Sequence, residues 1–330
     1  MTELLQSGNT LLIVMQDNPD PDAIASAAAL KVLANAVASV QCSIAHGGIV
    51  GRAENQAMVK YLDLNLRPVT EMDADRFDLV ALVDTQPQTG NNSLPRDIIP
   101  DIVIDHHPIR AATRSAPYTD IRSRYGATST ILHEYLAAAK VPVDVPLATS
   151  LLYGIRSDTQ DFGREATQAD IDAFLALYPA ANKRMLGRIQ WGRVPDAYFK
   201  LLFVALGNAI VYGDCVATSL GVIDNPDIVG EVADLLLRRQ DTSWVLCYGF
   251  YMDMALFSLR ASESNAAAGS AARKIAGRKG SGGGHNAFSA GRIPLLKNTE
   301  AERRRLGEVI EARFLKAVGK IQSQAVRLIG

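Results

Sequence analysis

Cysteine is scarce in this chain, and the three present, Cys42, Cys215 and Cys247, form neither a Cys-x-x-Cys pair nor an even framework. That excludes a disulfide scaffold and a thiolate metal cluster and leaves buried free thiols in a reducing compartment. An excess of charge is also lacking: 34 Lys and Arg stand against 35 Asp and Glu, with no block of like charges. Any affinity for a polyanion must therefore come from a local patch. Long apolar runs are missing. The run from Leu11 to Met15 is short, and no stretch approaches the roughly 20 apolar residues of a membrane span. Glu3 stands where a secretory signal would carry bases. A soluble, cytoplasmic protein with no membrane partner is expected. Internal repeats and low-complexity segments are absent too. With 48% apolar residues a sizeable core is affordable, and since single cores stop growing at about 250 to 300 residues there is room for two domains.

The first 140 residues alternate short β-branched runs with Ala-rich or helically spaced stretches. Strands are expected at Leu11–Met15, Val40–Ala45, Asp78–Asp84 and Asp101–Asp105, with helices at Ala23–Ser39, Glu54–Tyr61 and after Gly126. This pattern predicts a mostly parallel, doubly wound sheet with helices on both faces. Ligands in such sheets gather at the carboxyl edge of the strands. Asp105, His106 and His107 end one strand there, Asp84 ends another, and the loop Gln16 to Asp22 follows a third with three acids, Asp17, Asp20 and Asp22. Pro19 and Pro21 hold that loop extended. Its bland alternative is a helix start in which Asp22 caps and the other acids answer the macrodipole. An apolar helix from Val145 ends in Arg156, Ser157 and Asp158 and brings a further carboxylate to the same edge; Asp161 is read as solvent-facing or capping. The turn before Thr128 offers helix amides to a phosphate, although capping by Thr128 or Ser129 explains it as well. His46 is read as a polar loop residue and His133 as structural.

The stretch around Pro179, Trp191 and Pro195 is a helical connection. Beyond it the pattern becomes mixed α/β, with strands in 209–212, 216–222, 244–250 and 255–260 and helices in 229–238 and 303–328. Residues 1–185 are assigned to a first domain, 186–206 to a helical linker and 207–330 to a second. In the second, four glycines lie among residues 280–284, and seven Lys or Arg between Arg260 and Lys297 face one acid, Glu263. An uncrowded glycine loop of this kind can turn backbone amides toward an anion.

Carboxylates and imidazoles together suit Mn²⁺ or a related first-row ion, and a bridging carboxylate can hold two ions about 3.5 to 4 Å apart. Such a site polarises a phosphoryl group, so phosphoester hydrolysis is the expected chemistry. At this point the chain resembles the DHH phosphoesterase superfamily with a DHHA1 domain. The resemblance rests on Asn18-Pro-Asp20-Pro-Asp22, Val83-Asp84-Thr85, Asp105-His106-His107, Gly154-Ile-Arg-Ser-Asp158 and the glycine run Gly282 to Gly284 followed by His285 and Asn286. That superfamily includes RecJ-type exonucleases, nanoRNases that also act on adenosine 3',5'-bisphosphate, and cyclic-dinucleotide phosphodiesterases. The resemblance implies that Asp84 bridges two metals, Asp20 serves one ion, and Asp22, His106 and Asp158 serve the other. It places His107 by the scissile phosphate, with Asp105 orienting the histidines. Gly283, Gly284 and His285 would hold the terminal nucleotide and Arg260 a distal phosphate. The implied reaction is in-line attack of hydroxide on phosphorus, releasing a 5'-mononucleotide from a short oligonucleotide (nanoRNA, or a pApA-like dinucleotide) or a related small nucleotide. Mn²⁺ is the expected cofactor, as one or two ions, with Mg²⁺ or another divalent ion as substitutes. A homodimer is compatible with the sequence.

One position departs from that pattern. Gln16 stands where the superfamily's first motif has a histidine. A neutral amide is a weaker ligand, so Gln16 either still ligates with reduced affinity or leaves a nucleotide-binding regulator with little turnover. A 3'-phosphatase acting on adenosine 3',5'-bisphosphate is a further alternative. An inorganic pyrophosphatase shares the Asp-His-His element, but the glycine run with His285 argues against that reading.

Overall fold

The structure, a computed structural model, describes residues 1–163, 166–263, 265–284 and 286–329. It divides into two units, Met1–Arg193 and Val194–Gly330. The first contains α1 (Thr2–Leu5), β1 (Thr10–Val14), α2 (Pro21–Ala38), β2 (Gln41–His46), α3 (Ala53–Tyr61), β3 (Leu66–Pro68), β4 (Leu79–Val83), β5 (Ile102–Asp105), β6 (Tyr118–Ile121), α4 (Thr128–Ala138), α5 (Val145–Asp158), α6 (Gln168–Leu177) and α7 (Lys183–Gln190). Six parallel strands lie in the order β3-β2-β1-β4-β5-β6. The chain winds outward from β1 in one direction and from β4 in the other. The carboxyl ends of β1 and β4 therefore flank the point where the strand order reverses, the place where such sheets open a crevice.

Side chains alternate across the pleat. Leu11, Ile13, Ala81, Val83, Ile102 and Ile104 face one layer, and Leu12, Val14, Val80, Leu82 and Val103 the other, all buried. The parallel α/β architecture expected from the alternation is present. One detail differs: α2, α4 and α5 pack on a single face. The opposite face is closed by Val69, Met72, Phe77, Leu94, Ile98 and Ala116, which lie in short 3₁₀ turns and loops. The crossovers there are too short or too rich in Pro, Gly and Asn to hold an α-helix. Two strands escaped the sequence pattern, β3 and β6, both at sheet edges. β3 is three residues long and ends in Pro68, and β6 is half polar; edge strands carry little apolar signal.

Helix α2 is the central support of this unit. Asp20 caps it, accepting from the Ala23 amide at 2.9 Å, Pro21 takes the first turn, and Ser39 ends it in a left-handed conformation at φ 54°. It is long and apolar enough to pass for a membrane span, but 67% of it is buried inside the unit. Small residues let α5 come close. A Cβ on Gly154 would sit 2.6 Å from Ser129 Oγ and 3.2 Å from Asp22 Cα.

The second unit contains α8 (Asp196–Gly207), β7 (Ile210–Tyr212), β8 (Cys215–Val222), α9 (Ile228–Leu237), β9 (Trp244–Tyr251), β10 (Met254–Ala261), α10 (Ala268–Ala276), β11 (Ser281–Gly284), β12 (Phe288–Pro294), α11 (Glu300–Ala317) and β13 (Ala325–Arg327). The strands form one mixed sheet in the order β11-β12-β10-β9-β8-β7-β13, with β8 and β9 parallel and the other described pairs antiparallel. α8 and α9 cover one face, and α10 and α11 the other. Residues 186–206, read from the sequence as a linker, hold the end of α7 in the first unit and most of α8 in the second. The helix expected over 303–328 stops at Ala317, where Gly319 turns the chain at φ 74° toward β13. All three cysteines are free thiols.

The glycine run is not a loop. Ser281–Gly284 is an edge strand paired with β12, and α10 lies directly against it. A Cβ on Gly282 would meet the Ala272 carbonyl oxygen at 2.7 Å, whereas one on Gly283 would meet nothing within 4 Å. Close helix-to-strand packing thus accounts for Gly282, and only Gly283 presents an uncrowded backbone. Gly282→Ala should destabilise the protein by about 1 to 3 kcal/mol through overpacking, and Gly283→Ala should fall within about 0.5 kcal/mol of wild type. Denaturant midpoints of the two variants check this.

Candidate metal centre

Five segments deliver acids and imidazoles to the switch point of the first sheet. The turn after β1 supplies Gln16 and Asp20, and the first turn of α2 supplies Asp22. Asp84 directly follows β4, β5 ends at Asp105 followed by His106 and His107, and α5 ends at Asp158. Asp22, Asp84 and Asp105 are each 1% exposed, so their charges are withheld from water and must be met by the protein.

Each is met differently. Asp22 accepts from the backbone amides of Thr128 at 2.7 Å and Ser129 at 2.8 Å. It therefore caps α4, while Asp20 caps α2; the sequence alternatives of Asp22 capping its own helix and of Thr128 or Ser129 capping α4 are both corrected. The α4 amides that might have faced a phosphate are occupied by this carboxylate. Asp84 sits at φ 59°, a left-handed conformation uncommon outside glycine. Its Oδ1 accepts from the Thr128 hydroxyl at 2.9 Å, and its Oδ2 lies 3.5 Å from Gln16 Nε2. Asp105 accepts from His107 Nδ1 at 2.8 Å and from Gln86 Nε2 at 2.7 Å. Of the two histidines that Asp105 was expected to orient, it bonds to His107 alone. His106 is held instead by the Tyr125 carbonyl, 3.1 Å from its Nδ1.

That last contact determines the His106 tautomer. A carbonyl can only accept, so Nδ1 carries a hydrogen and Nε2 is turned into the cluster. Nε2 is buried, 2.9 Å from Asp158 Oδ2 and 3.6 Å from Asp84 Oδ1, yet out of line for a normal hydrogen bond to either. A neutral imidazole nitrogen and a carboxylate oxygen at that separation are two acceptors facing one another. A cation must lie between them, whether a proton or a metal ion. Ligand atoms of Asp22, His106 and Asp158 all fall within 4.8 Å of one another, as do those of Asp84, Asp105, His106 and His107. Oxygen and imidazole donors of this kind fit a divalent first-row ion.

Without an ion the charges are held off by protons. Burial first, then Asp158, pushes Asp22 up to about 7. Burial and the neighbouring carboxylates raise Asp84 well above the usual carboxylate range, and burial and Asp158 raise Asp20. Burial opposes charge on His106, but Asp158, Asp22 and Asp105 outweigh it and raise the imidazolium to about 10. Asp105 behaves oppositely. Burial would raise it, but its bonds to His107 and Gln86 hold it below the usual range, so it stays ionised.

Gln86 is the functional-site residue that sequence reading missed. It is 1% exposed. Its amide nitrogen serves Asp105 and the carbonyls of His107 and Pro108, and its oxygen accepts from the Arg110 amide and the Thr113 hydroxyl, both at 2.7 Å. A glutamine two residues after a strand-end aspartate carries no signal in one sequence. Thr128 was equally invisible as a partner of Asp84.

Residues 10–155 match the DHH family, N-terminal domain. The N-terminal unit is a DHH domain. An uncharacterized protein of Methanocaldococcus jannaschii is 35% identical over 316 residues, 94% of this chain and 64% of the relative. A probable manganese-dependent inorganic pyrophosphatase of Lactiplantibacillus plantarum is 28% identical over 149 residues, 45% of this chain and 47% of the relative. This chain thus spans less than two thirds of the length of these curated relatives. Among solved structures, an exopolyphosphatase-related protein from Bacteroides fragilis aligns over 96% of both chains with a TM-score of 0.70 and 16% identity; that likeness is one of fold.

The DHH domain therefore brings Gln16, Asp20, Asp22, Asp84, Asp105, His106, His107 and Asp158 together. Asp161 pairs with Arg156 at 2.6 Å on the surface. His46 is buried at the end of β2 rather than placed in a polar loop, with Nδ1 2.8 Å from the Gly47 carbonyl. His133 lies half-buried in α4. In the other unit Arg260 is bound to Asp234 through two nitrogens and also to Ser258 and the Leu259 carbonyl. Gly283 and Gly284 form the end of β11, and His285 lies outside the described residues.

Two measurements follow from this arrangement. Gln86→Leu should cost about 1 to 3 kcal/mol by leaving the buried Thr113 hydroxyl unsatisfied, besides releasing the Arg110 amide, read as a lowered denaturation midpoint. Metal-free protein should also melt at a lower temperature as pH rises from 5 to 9. Asp22 lies above its ordinary 3.8, at about 7, so the fold binds an extra proton in that interval and loses stability as it leaves. His106, raised from 6.5 to about 10, contributes stability below its unfolded value that is lost as pH climbs through the folded one. Both signs agree, and the increment produced by Mn²⁺ should grow with pH because the ion replaces these protons. A flat profile with and without Mn²⁺ would contradict the assignment.

Proposed function

We propose that this protein is a divalent-metal-dependent phosphoesterase that hydrolyses short oligonucleotides of the nanoRNA or pApA type, or related small nucleotides, to 5'-mononucleotides. The observation that carries this reading is the convergence of Asp22, His106 and Asp158, with a buried imidazole nitrogen 2.9 Å from a carboxylate oxygen. Asp22, Asp84, His106 and Asp158 would hold the ion. When bound, it would polarise a phosphoryl oxygen and lower the pKa of water. The manganese-dependent pyrophosphatase among the relatives supports Mn²⁺ as the first ion to try.

The remaining work falls to the chain's own side chains. The Tyr125 carbonyl fixes the His106 ring. His107 is 34% exposed at its side chain, against 12% for His106. With Nδ1 committed to an ionised Asp105, it is placed to meet negative charge as it develops on a phosphoryl oxygen. In the second unit, read as a DHHA1 substrate-binding domain, exposed Arg273, Lys274, Arg278, Lys279 and Arg292 surround β11. They support capture of a phosphate-bearing ligand, with Gly283, Gly284 and His285 on its terminal nucleotide. Arg260 would have to exchange Asp234 for a distal phosphate.

A second reading, a nucleotide-binding regulator with weak turnover, is favoured by Gln16 alone; a 3'-phosphatase on adenosine 3',5'-bisphosphate would use the same groups. Purified protein incubated with Mn²⁺ and a 5'-labelled dinucleotide should release mononucleotide, and Asp84→Ala should reduce the rate by at least about 100-fold. Parallel incubations with adenosine 3',5'-bisphosphate and pyrophosphate separate the substrates. Phosphate release from pyrophosphate alone, or calorimetric binding of the dinucleotide without any product, would overturn the proposal.

A further inference from the structure

We propose that the side-chain amide of Gln16 stands in for one metal ion, so that this DHH domain assembles a single-ion centre; the inference rests on the metal-dependent reading above. Gln16 Nε2 lies 2.8 Å from Asp20 Oδ2 and 3.5 Å from Asp84 Oδ2. It sits between the two carboxylates that an ion on this side of the centre would join. Both neighbours are acceptors when ionised, as an ion-binding centre requires, and in that state the NH₂ end of the amide faces them. Turning the amide to present its oxygen to an ion would break the bond to Asp20 and set a carbonyl oxygen against two carboxylates.

Asp20 has little left to offer. Its Oδ1 accepts from the Ala23 amide as the cap of α2, and its Oδ2 accepts from Gln16. Independently, the groups of three or more ligand atoms found within 4.8 Å of one another among the described residues include Asp22, Asp84, Asp105, His106, His107 and Asp158, but not Asp20. The centre is therefore asymmetric. One half has His106 with the carboxylates of Asp22, Asp84 and Asp158, and the other has an amide that donates two hydrogens and carries no charge. A neutral donor eases the repulsion between Asp20 and Asp84 without the affinity of an imidazole for a first-row ion. With one ion in place of a clamp of two, part of the charge on the substrate must be met by His107 and by Lys or Arg.

Metal counting decides the matter without reference to turnover. The full chain is stripped with a chelator, equilibrated with Mn²⁺ and counted by elemental analysis, with the paramagnetic resonance spectrum recorded in parallel. Wild type should hold one ion per chain with the spectrum of an isolated Mn²⁺. Gln16→His should rise to two ions with the spectrum of an exchange-coupled pair, and His106→Ala should lose the ion that wild type holds. Two ions in wild type would overturn this inference while leaving the metal-dependent reading standing. No ion in wild type would overturn that reading and this inference with it. A Gln16→His variant that remains at one ion would show that the amide is not what limits the count. The wild-type count stands by itself if either variant fails to fold.

Discussion

Repulsion among the carboxylates of Asp20, Asp22, Asp84, Asp105 and Asp158, gathered at one edge of a parallel sheet, is the constraint around which the first unit is built. In an interior of low polarity, like charges a few ångströms apart interact far more strongly than they would in water. The fold answers with several devices at once. Two helices start at the cluster, and their first-turn amides are taken by Asp20 and Asp22. A left-handed backbone at Asp84 and a hydroxyl from Thr128 hold that buried acid in place. Two imidazoles approach from the end of β5. His106 and Asp158 face one another at 2.9 Å, and a divalent ion suits that pair.

The pairing of Asp22 with α4 ties the chemistry to the architecture. Because Asp22 caps a helix more than a hundred residues away in sequence, α2 and α4 cannot separate without exposing both a carboxylate and two amides. Gly154 lets α5 approach the same point, which places Asp158 against His106. Gln86 does the equivalent work on the other side, joining Asp105 to the loop that carries Pro108, Arg110 and Thr113. Such supporting residues give a site its precision, since the ligands themselves are flexible side chains.

The alternation of β-branched runs with Ala-rich helical stretches made the parallel sheet legible, because a strand buried on both faces must be apolar throughout. The acids and histidines at strand ends were legible for the complementary reason: they interrupt that pattern where packing gives them no cause to be. The glycine run misled, because glycine signals both an open anion-binding loop and a strand pressed against a helix. Only the position of Ala272 distinguishes the two cases at Gly282. Gln86 and Thr128 were not legible at all, since a satisfied polar residue looks the same in sequence whether its partner is water or a buried aspartate.

Sequence alone determined the fold class and which residues reach the carboxyl edge of the first sheet, because strand period and strand ends are local properties of the chain. Tertiary structure decided how those residues divide the work. It assigned Asp22 to α4, Asp105 to His107, the Tyr125 carbonyl to His106 and the Gln16 amide to Asp20. Each of these is a hydrogen bond whose donor and acceptor are brought together only by packing, and a donor's choice among several nearby carboxylates is made by distance and direction rather than by residue type.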